Sequence, residues 1–390
     1  MTNFLAVERA VRSAAPYDLL DTLRAALIEH YQAVKVDLLM ADYSLTVLQP
    51  VTELPYTAEP LSVHDSPEGR AFGSQEPHGY AVRHEGAVDL HLPVTVRGDR
   101  LGILSVRVPE QDCTPDAVTE LAALAEIVGH AIVVAERDTD IFLQARRARR
   151  LTLAAEMQWQ LLPARACSRQ EYAIGAQLEP AYAIHGDNFD WAATAQTLTL
   201  TITNGMGEGI QASLLTNLAV NALRNARRAG IGIADQAALA DQALYAQHRG
   251  EQYVSTLLLS FELATGRVQV VDAGSPQLWR QRDRNVERIH FEAQLPLGMF
   301  EETEYITQDF EAQPGDRLIF VSDGVYDAVS ESGEPYGRQM LARAIQSVSL
   351  LPAAAVPRAI LQELSAYLKA VADDDALVVC VDWFGQAPRS

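Results

Sequence analysis

The sequence is short of cysteine, of cations and of long apolar runs, and each shortage excludes something. Its 390 residues contain 3 cysteines, Cys113, Cys167 and Cys380, with no CxxC spacing. A small, odd number argues against a disulfide framework and for a reducing compartment, so a cytoplasmic location is expected. Lys and Arg number 31 against 51 Asp and Glu, a formal net charge of −20. Nucleic acid and anionic membrane both need clustered cations, so neither is expected as a partner. No apolar run reaches the ~18 residues of a membrane span. Glu8, Arg9, Arg12 and Asp18 interrupt the N-terminus before the apolar core of a signal peptide develops. What remains, 48% hydrophobic and 21% charged residues, is a globular composition long enough for two domains.

Apolar residues at helical spacing predict a helix over 17–32. Residues 36–43 and 45–51 read as paired strands, and 52–79 as loop. A second hairpin joins 88–96 to 101–106 through Arg97-Gly98-Asp99-Arg100. Thr114-Pro115 starts a helix with no obvious stop, since no proline occurs between Pro115 and Pro163. Apolar residues recur every seven positions at Ile127, Val134, Ile141, Ala148, Ala155 and Leu162. That repeat predicts a continuous helical connector over 115–162 that pairs with its copy in a homodimer. The alternative is two helices broken near Arg137-Asp138-Thr139-Asp140, each packed on its own domain. Beyond Glu171, strands are expected at 172–178, 196–203, 253–262, 267–273, 276–282, 317–321 and 376–383, and helices at 210–228, 234–247, 337–347 and 353–371. Most strands adjoin through short turns, which favours an antiparallel α+β arrangement over a parallel doubly wound sheet.

Asp187, Asp323 and Asp373 each lie beside such a strand, and the first two adjoin glycine. Singly, each reads as a turn residue. Together, carboxylates brought to one point would repel unless cations neutralise them. Oxygen ligands suit Mg²⁺ or Mn²⁺, and a two-metal site suits hydrolysis of a phosphate ester.

The ordered set of motifs over 150–385 resembles the bacterial branch of the metal-dependent PPM (PP2C-like) serine/threonine phosphatases, the RsbU/SpoIIE type. It comprises Gln160-Leu161-Leu162-Pro163, Gly186-Asp187 with Asp190 behind, and Asn204-Gly205-Met206-Gly207-Glu208-Gly209 opening a helix. Asp272-Ala273-Gly274-Ser275, Pro296-Leu297-Gly298, Gly315-Asp316, Ser322-Asp323-Gly324 and Asp373-Asp374-Asp375-Ala376-Leu377 follow. The resemblance implies a PP2C-like antiparallel β-sandwich flanked by helices over 164–390, holding two Mn²⁺ or Mg²⁺ ions. It assigns the metal ligands to Asp187, Asn204, the Gly205 carbonyl, Asp323 and Asp373, with Asp374 the second choice in the last patch. It implies a phosphorylated regulatory protein as substrate, of the STAS-type anti-anti-sigma class.

Asn204 stands where the pattern has the aspartate that bridges both metals. An amide brings no charge, so the centre is expected to bind metal less well. This leaves two readings: a phosphatase of reduced activity, or a pseudophosphatase that keeps only the binding surface. His185 and Ser275 are smaller departures, and Glu208 reads as an exposed helix-start residue. The region from about 15 to 137 resembles a GAF-type sensor domain, carried by the helix at 17–32, the hairpin 36–51, a Gly69-Arg70-Ala71-Phe72 loop and Leu92-Pro93-Val94 running into Gly102-Ile103-Leu104. It implies an unidentified small ligand or a dimerisation role; His84 and His91 read as ordinary histidines. The expected organisation is a GAF-like α/β sensor domain over 1–137, a helical connector over 138–163 and the phosphatase domain over 164–390.

Overall fold

A computed structural model describes residues 2–51, 59–82, 85–180, 182, 186–330, 333–368 and 374–386. His84, His185 and Asp373 lie outside the described residues. The chain divides into two compact units, Met1–Arg150 and Leu151–Ser390.

The first unit is built on a six-stranded antiparallel sheet in the order Leu61–Ser62, Val47–Pro50, Lys35–Ala41, Asp99–Pro109, Ala87–Val96, His78–Val82. Period-two alternation sends its two apolar sets to opposite faces. Leu38, Met40, Leu92, Leu104 and Val106 meet Leu23 and Leu27 of helix Leu19–Tyr31 and Leu121, Leu124, Val128 and Ile132 of helix Pro115–Ala135. Leu39, Ala41 and Ile103 point the other way, onto Phe72 of helix Pro67–Ser74. That last helix replaces the expected loop around Gly69-Arg70-Ala71-Phe72. Ser66 caps it by accepting from the Gly69 amide at 2.9 Å, and Pro67 occupies its first turn. Helix Pro115–Ala135 is long and apolar enough to cross a bilayer by length and composition. Here its buried stripe is the core of this unit. His91 is buried, with Nδ1 2.9 Å from Ser105 Oγ, which fits its reading as a core histidine.

The continuous connector does not form. Helix Pro115–Ala135 ends in a turn, Ile141–Ala145 forms a separate short helix, and Leu153–Leu161 begins afresh. Phe142 and Ala145 are buried in the core of the first unit. Thr152 starts the next helix by accepting from the Ala155 amide at 3.1 Å, and Ala154, Ala155 and Leu161 are buried in the second unit. The seven-residue repeat forms no single seam: Ile127 and Ile141 pack partly against the first core, Ala155 is buried in the second unit, and Val134 is 61% exposed.

The second unit is a sandwich of two antiparallel sheets. The five-stranded sheet runs Gln308–Glu311, Arg267–Ala273, Val254–Glu262, Thr197–Gly205, Asp187–Ala193. The six-stranded sheet runs Asn285–Ile289, Gln277–Arg282, Arg317–Val321, Ala376–Trp383, Tyr172–Glu179, Ala166–Ser168. Strands Val254–Glu262, Arg317–Val321 and Ala376–Trp383 are buried on both faces and read as near-continuous apolar runs, whereas Thr197–Gly205 alternates threonine with Leu and Ile. Val254, Leu258, Val271 and Ala273 pack under helices Gly209–Arg228 and Ile233–His248. Ile319, Val321, Val378 and Cys380 pack under Met340–Ser347 and Val356–Leu368. The opposite phase faces inward, where the Phe261 and Trp383 rings stack at 5.7 Å. The α+β class and the helix-flanked antiparallel sandwich are thus as expected.

Candidate functional site

The site gathers where strand ends from both sheets meet. Asp187 opens strand Asp187–Ala193 and lies directly opposite Asn204 in the antiparallel register. Asp323 follows strand Arg317–Val321 at the start of the short helix Asp323–Tyr326. Asp374 and Asp375 immediately precede strand Ala376–Trp383.

Glycine permits the close approach. A Cβ on Gly324 would sit 1.9 Å from the Asp375 carbonyl oxygen, and one on Gly205 would sit 2.1 Å from Thr216 Oγ1. Thr216 Oγ1 donates to the Gly186 carbonyl at 2.7 Å, and the Gly205 amide donates to the same carbonyl at 3.2 Å. The Asp375 carboxylate accepts from the Gly186 amide at 2.7 Å and the Asp187 amide at 3.2 Å. It therefore clamps the start of the Asp187 strand.

Four of the five expected ligands are described, and they come together. Asn204 Nδ2 donates to Asp323 Oδ1 at 2.6 Å. Ser275 Oγ donates to Asp323 Oδ2 at 3.4 Å, and Gly205 stands beside Gly186. Asp373 lies outside the described residues, whereas Asp374 and Asp375 are described. Asp374 raises the pKa of both Asp187 and Asp323, and Asp375 is only 1% exposed. Sequence reasoning passed over Asp375. The signal was the run of three aspartates, in which the motif register favoured the first.

Asp187 is 2% exposed, and its Oδ2 has no hydrogen-bond partner among the described residues. Burial, and then the Asp375 charge, push its pKa well above the usual carboxylate range, with Asp323 and Asp374 adding to the rise. Burial and then Asp374 raise Asp323, against the Gly324 amide and Ser275 hydroxyl, which favour its charged form. These carboxylates are therefore short of positive charge. Among the described residues no three His, Cys, Asp or Glu side chains are gathered closely enough to hold a metal alone. The Asn204 amide and the Gly205 carbonyl extend the donor set. Every donor is a hard oxygen, and a buried carboxylate oxygen lacks a partner, so the chemistry fits Mg²⁺ or Mn²⁺.

Several other motif residues make structural contacts. Asp190, 4% exposed, accepts from Arg224 Nη2 at 2.7 Å and Arg227 Nη1 at 2.8 Å. Arg224 also donates to the Leu161 carbonyl at 2.6 Å, which ties the Leu-Leu-Pro segment to helix Gly209–Arg228. The Gly298 amide donates to the buried Asp241 at 2.7 Å. Glu208 is exposed and caps nothing with its side chain.

Residues 194–384 match the family model for stage II sporulation protein E (SpoIIE). The matched segment lies in the second unit of this chain, which over that stretch is similar to SpoIIE/PP2C-type phosphatase domains. It is similar to phosphoserine phosphatase RsbU of Bacillus subtilis, 21% identical over 221 residues that cover 56% of this chain and 66% of that protein. It is also similar to phosphoserine phosphatase RsbP of the same organism, 24% identical over 132 residues, 33% of each chain. The chain thus spans less than two thirds of the length of these curated relatives. The SiaA-PP2C domain of Pseudomonas aeruginosa shares the fold, with a TM-score of 0.50 and 18% identity over 60% of this chain and 94% of that one.

Proposed function

We propose that this chain is a metal-dependent protein serine/threonine phosphatase. The observation that carries it is the meeting of Asp187, Asn204 and Asp323 at strand ends, with one Asp187 oxygen buried and unpartnered. Asp187, Asn204, the Gly205 carbonyl, Asp323 and a carboxylate of the 373–374 pair would hold Mn²⁺ or Mg²⁺, two ions in the fullest reading. Such ions supply positive charge to phosphoryl oxygens and activate water. The protein's part is to aim oxygen donors, hold Asp323 through Ser275 and Gly324, and keep the Asp187 end rigid through Asp375. The substrate is a phosphorylated regulatory protein, of the STAS-type anti-anti-sigma class by analogy with the phosphoserine phosphatases it resembles. The first unit is read as a GAF-like sensor that takes a small ligand, in a cytoplasmic homodimer. Mn²⁺-dependent hydrolysis of p-nitrophenyl phosphate by the full chain tests the activity, and loss of it in Asp187→Asn ties it to this site.

One observation favours a second reading, a pseudophosphatase that binds its partner without turnover. The Asn204 amide already donates to Asp323, which supplies part of the compensation a cation would otherwise give. Absence of hydrolysis together with retained binding of a phosphoserine peptide would select this reading.

A further inference from the structure

Beside the carboxylates lies a recess of about 220 Å³ in the second unit. That is room for roughly seven waters at ~30 Å³ each, enough to admit a phosphorylated side chain. Its wall includes Asp272, Ser275, Gln277, Arg288, His290 and Tyr326. Two of these connect it to the site. Ser275 Oγ donates to Asp323, and the Tyr326 hydroxyl, on the same short helix as Asp323, donates to the Ser275 carbonyl at 2.9 Å.

Arg288 stands out electrostatically. Two other arginines of the same hairpin are committed: Arg280 to Glu287, and Arg282 to Asp316 at 2.6 Å. Arg288 is exposed and forms no ion pair among the described residues, although Asp272 lies within its field. A phosphate monoester brings about −1.5 to −2 charges near pH 7. It must approach a chain of net charge −20 at a point where Asp187, Asp323, Asp374 and Asp375 gather. A free guanidinium on the adjoining wall offsets that repulsion and offers paired N–H donors to phosphoryl oxygens.

We propose that this recess is the phosphoryl-binding subsite of the phosphatase and that Arg288 is its substrate-binding cation. The proposal rests on the phosphatase reading and deepens it, by making recognition depend on the substrate's phosphate dianion rather than on metal alone.

The test uses the full chain with Mn²⁺, a phosphoserine peptide and its unphosphorylated form. Arg288→Ala is expected to raise KM for the phosphopeptide about ten-fold or more while kcat stays within about two-fold, and Arg288→Lys to recover part of the loss. Because Arg288 is exposed, circular dichroism of both variants is expected to match wild type. An unchanged KM, or a fall in kcat alone, overturns the subsite. If wild type does not turn over, the phosphatase reading fails separately, and calorimetric binding of the two peptides decides this one. Preference for the phosphopeptide that disappears in Arg288→Ala supports the subsite; preference unchanged by the variant overturns it.

Discussion

Replacing Asn204 by aspartate tests the electrostatics of the site most directly. In the metal-free protein the change removes the 2.6 Å hydrogen bond from Asn204 Nδ2 to Asp323 and puts a second carboxylate in its place. A hydrogen bond to a charged group contributes about 1.5–3 kcal/mol. Two carboxylates ~4 Å apart at an effective dielectric of ~20 repel by about 4 kcal/mol, a ceiling, because one of them will take up a proton instead. Asp323 is only part-buried, which screens the pair further. The net cost without metal is therefore about 1–3 kcal/mol, a fall in Tm of roughly 3–10 °C for a domain of this size. Mn²⁺ should reverse the order. The new carboxylate would add negative charge to the oxygen donors that hold the ion, and each ~1.4 kcal/mol gained is ten-fold in affinity. Thermal melts of wild type and Asn204→Asp, with EDTA and with millimolar Mn²⁺, read both effects, and p-nitrophenyl phosphate hydrolysis at low Mn²⁺ should be higher in the variant. Equal Tm values in EDTA with equal Mn²⁺ increments would refute the reasoning.

Other expectations follow from single contacts. Gly324→Ala sets a Cβ 1.9 Å from the Asp375 carbonyl, a backbone atom that cannot swing aside; urea unfolding should show a loss of about 3 kcal/mol or more, with activity abolished. Asp375→Ala releases the Gly186 and Asp187 amides and should cost about 3 kcal/mol, with a matching loss of Mn²⁺ affinity by calorimetry. Asp272 is pushed up from 3.8 to about 6, first by burial, against the Gly274 amide and Arg288. The native state thus binds its proton more tightly than the unfolded chain, so stability falls as pH rises from about 4 to about 6 and stays lower above. Full burial would make that about 3 kcal/mol; part-exposure reduces it to about 1 kcal/mol. Asp272→Asn, which keeps the Oδ1 acceptor for Gly274, should flatten Tm over that range, and a profile as steep as wild type would count against the shift.

Local chemistry settled much of this protein. Strands Arg267–Ala273, Arg317–Val321 and Ala376–Trp383 have the bounds their apolar runs predict, and the helix after Asn204-Gly205 begins where its glycines end. Period and punctuation are local properties, readable without knowing what packs where. The seven-residue repeat from Ile127 to Leu162 was equally visible and was misread. Apolar spacing alone does not say what covers each residue: here Ile127 and Ile141 lean on the first core, Ala155 is buried in the second unit, and Val134 stays exposed. Helix Pro67–Ser74 escaped notice because eight residues are too few for a periodic signal, and Phe72 stabilises it only through the sheet. At the site, Asp187 and Asp323 were legible as carboxylates beside a strand and a glycine, whereas Asn204 and Gly205 came from the resemblance of the ordered motifs. That Asp187 faces Asn204 was decided by strand register; that the Asn204 amide reaches Asp323, and that Asp375 clamps Gly186, were decided by the packing of one sheet on the other. A one-residue slip turns every side chain of a strand to the other face, and register is fixed only when distant strands pair and bury their inner faces together.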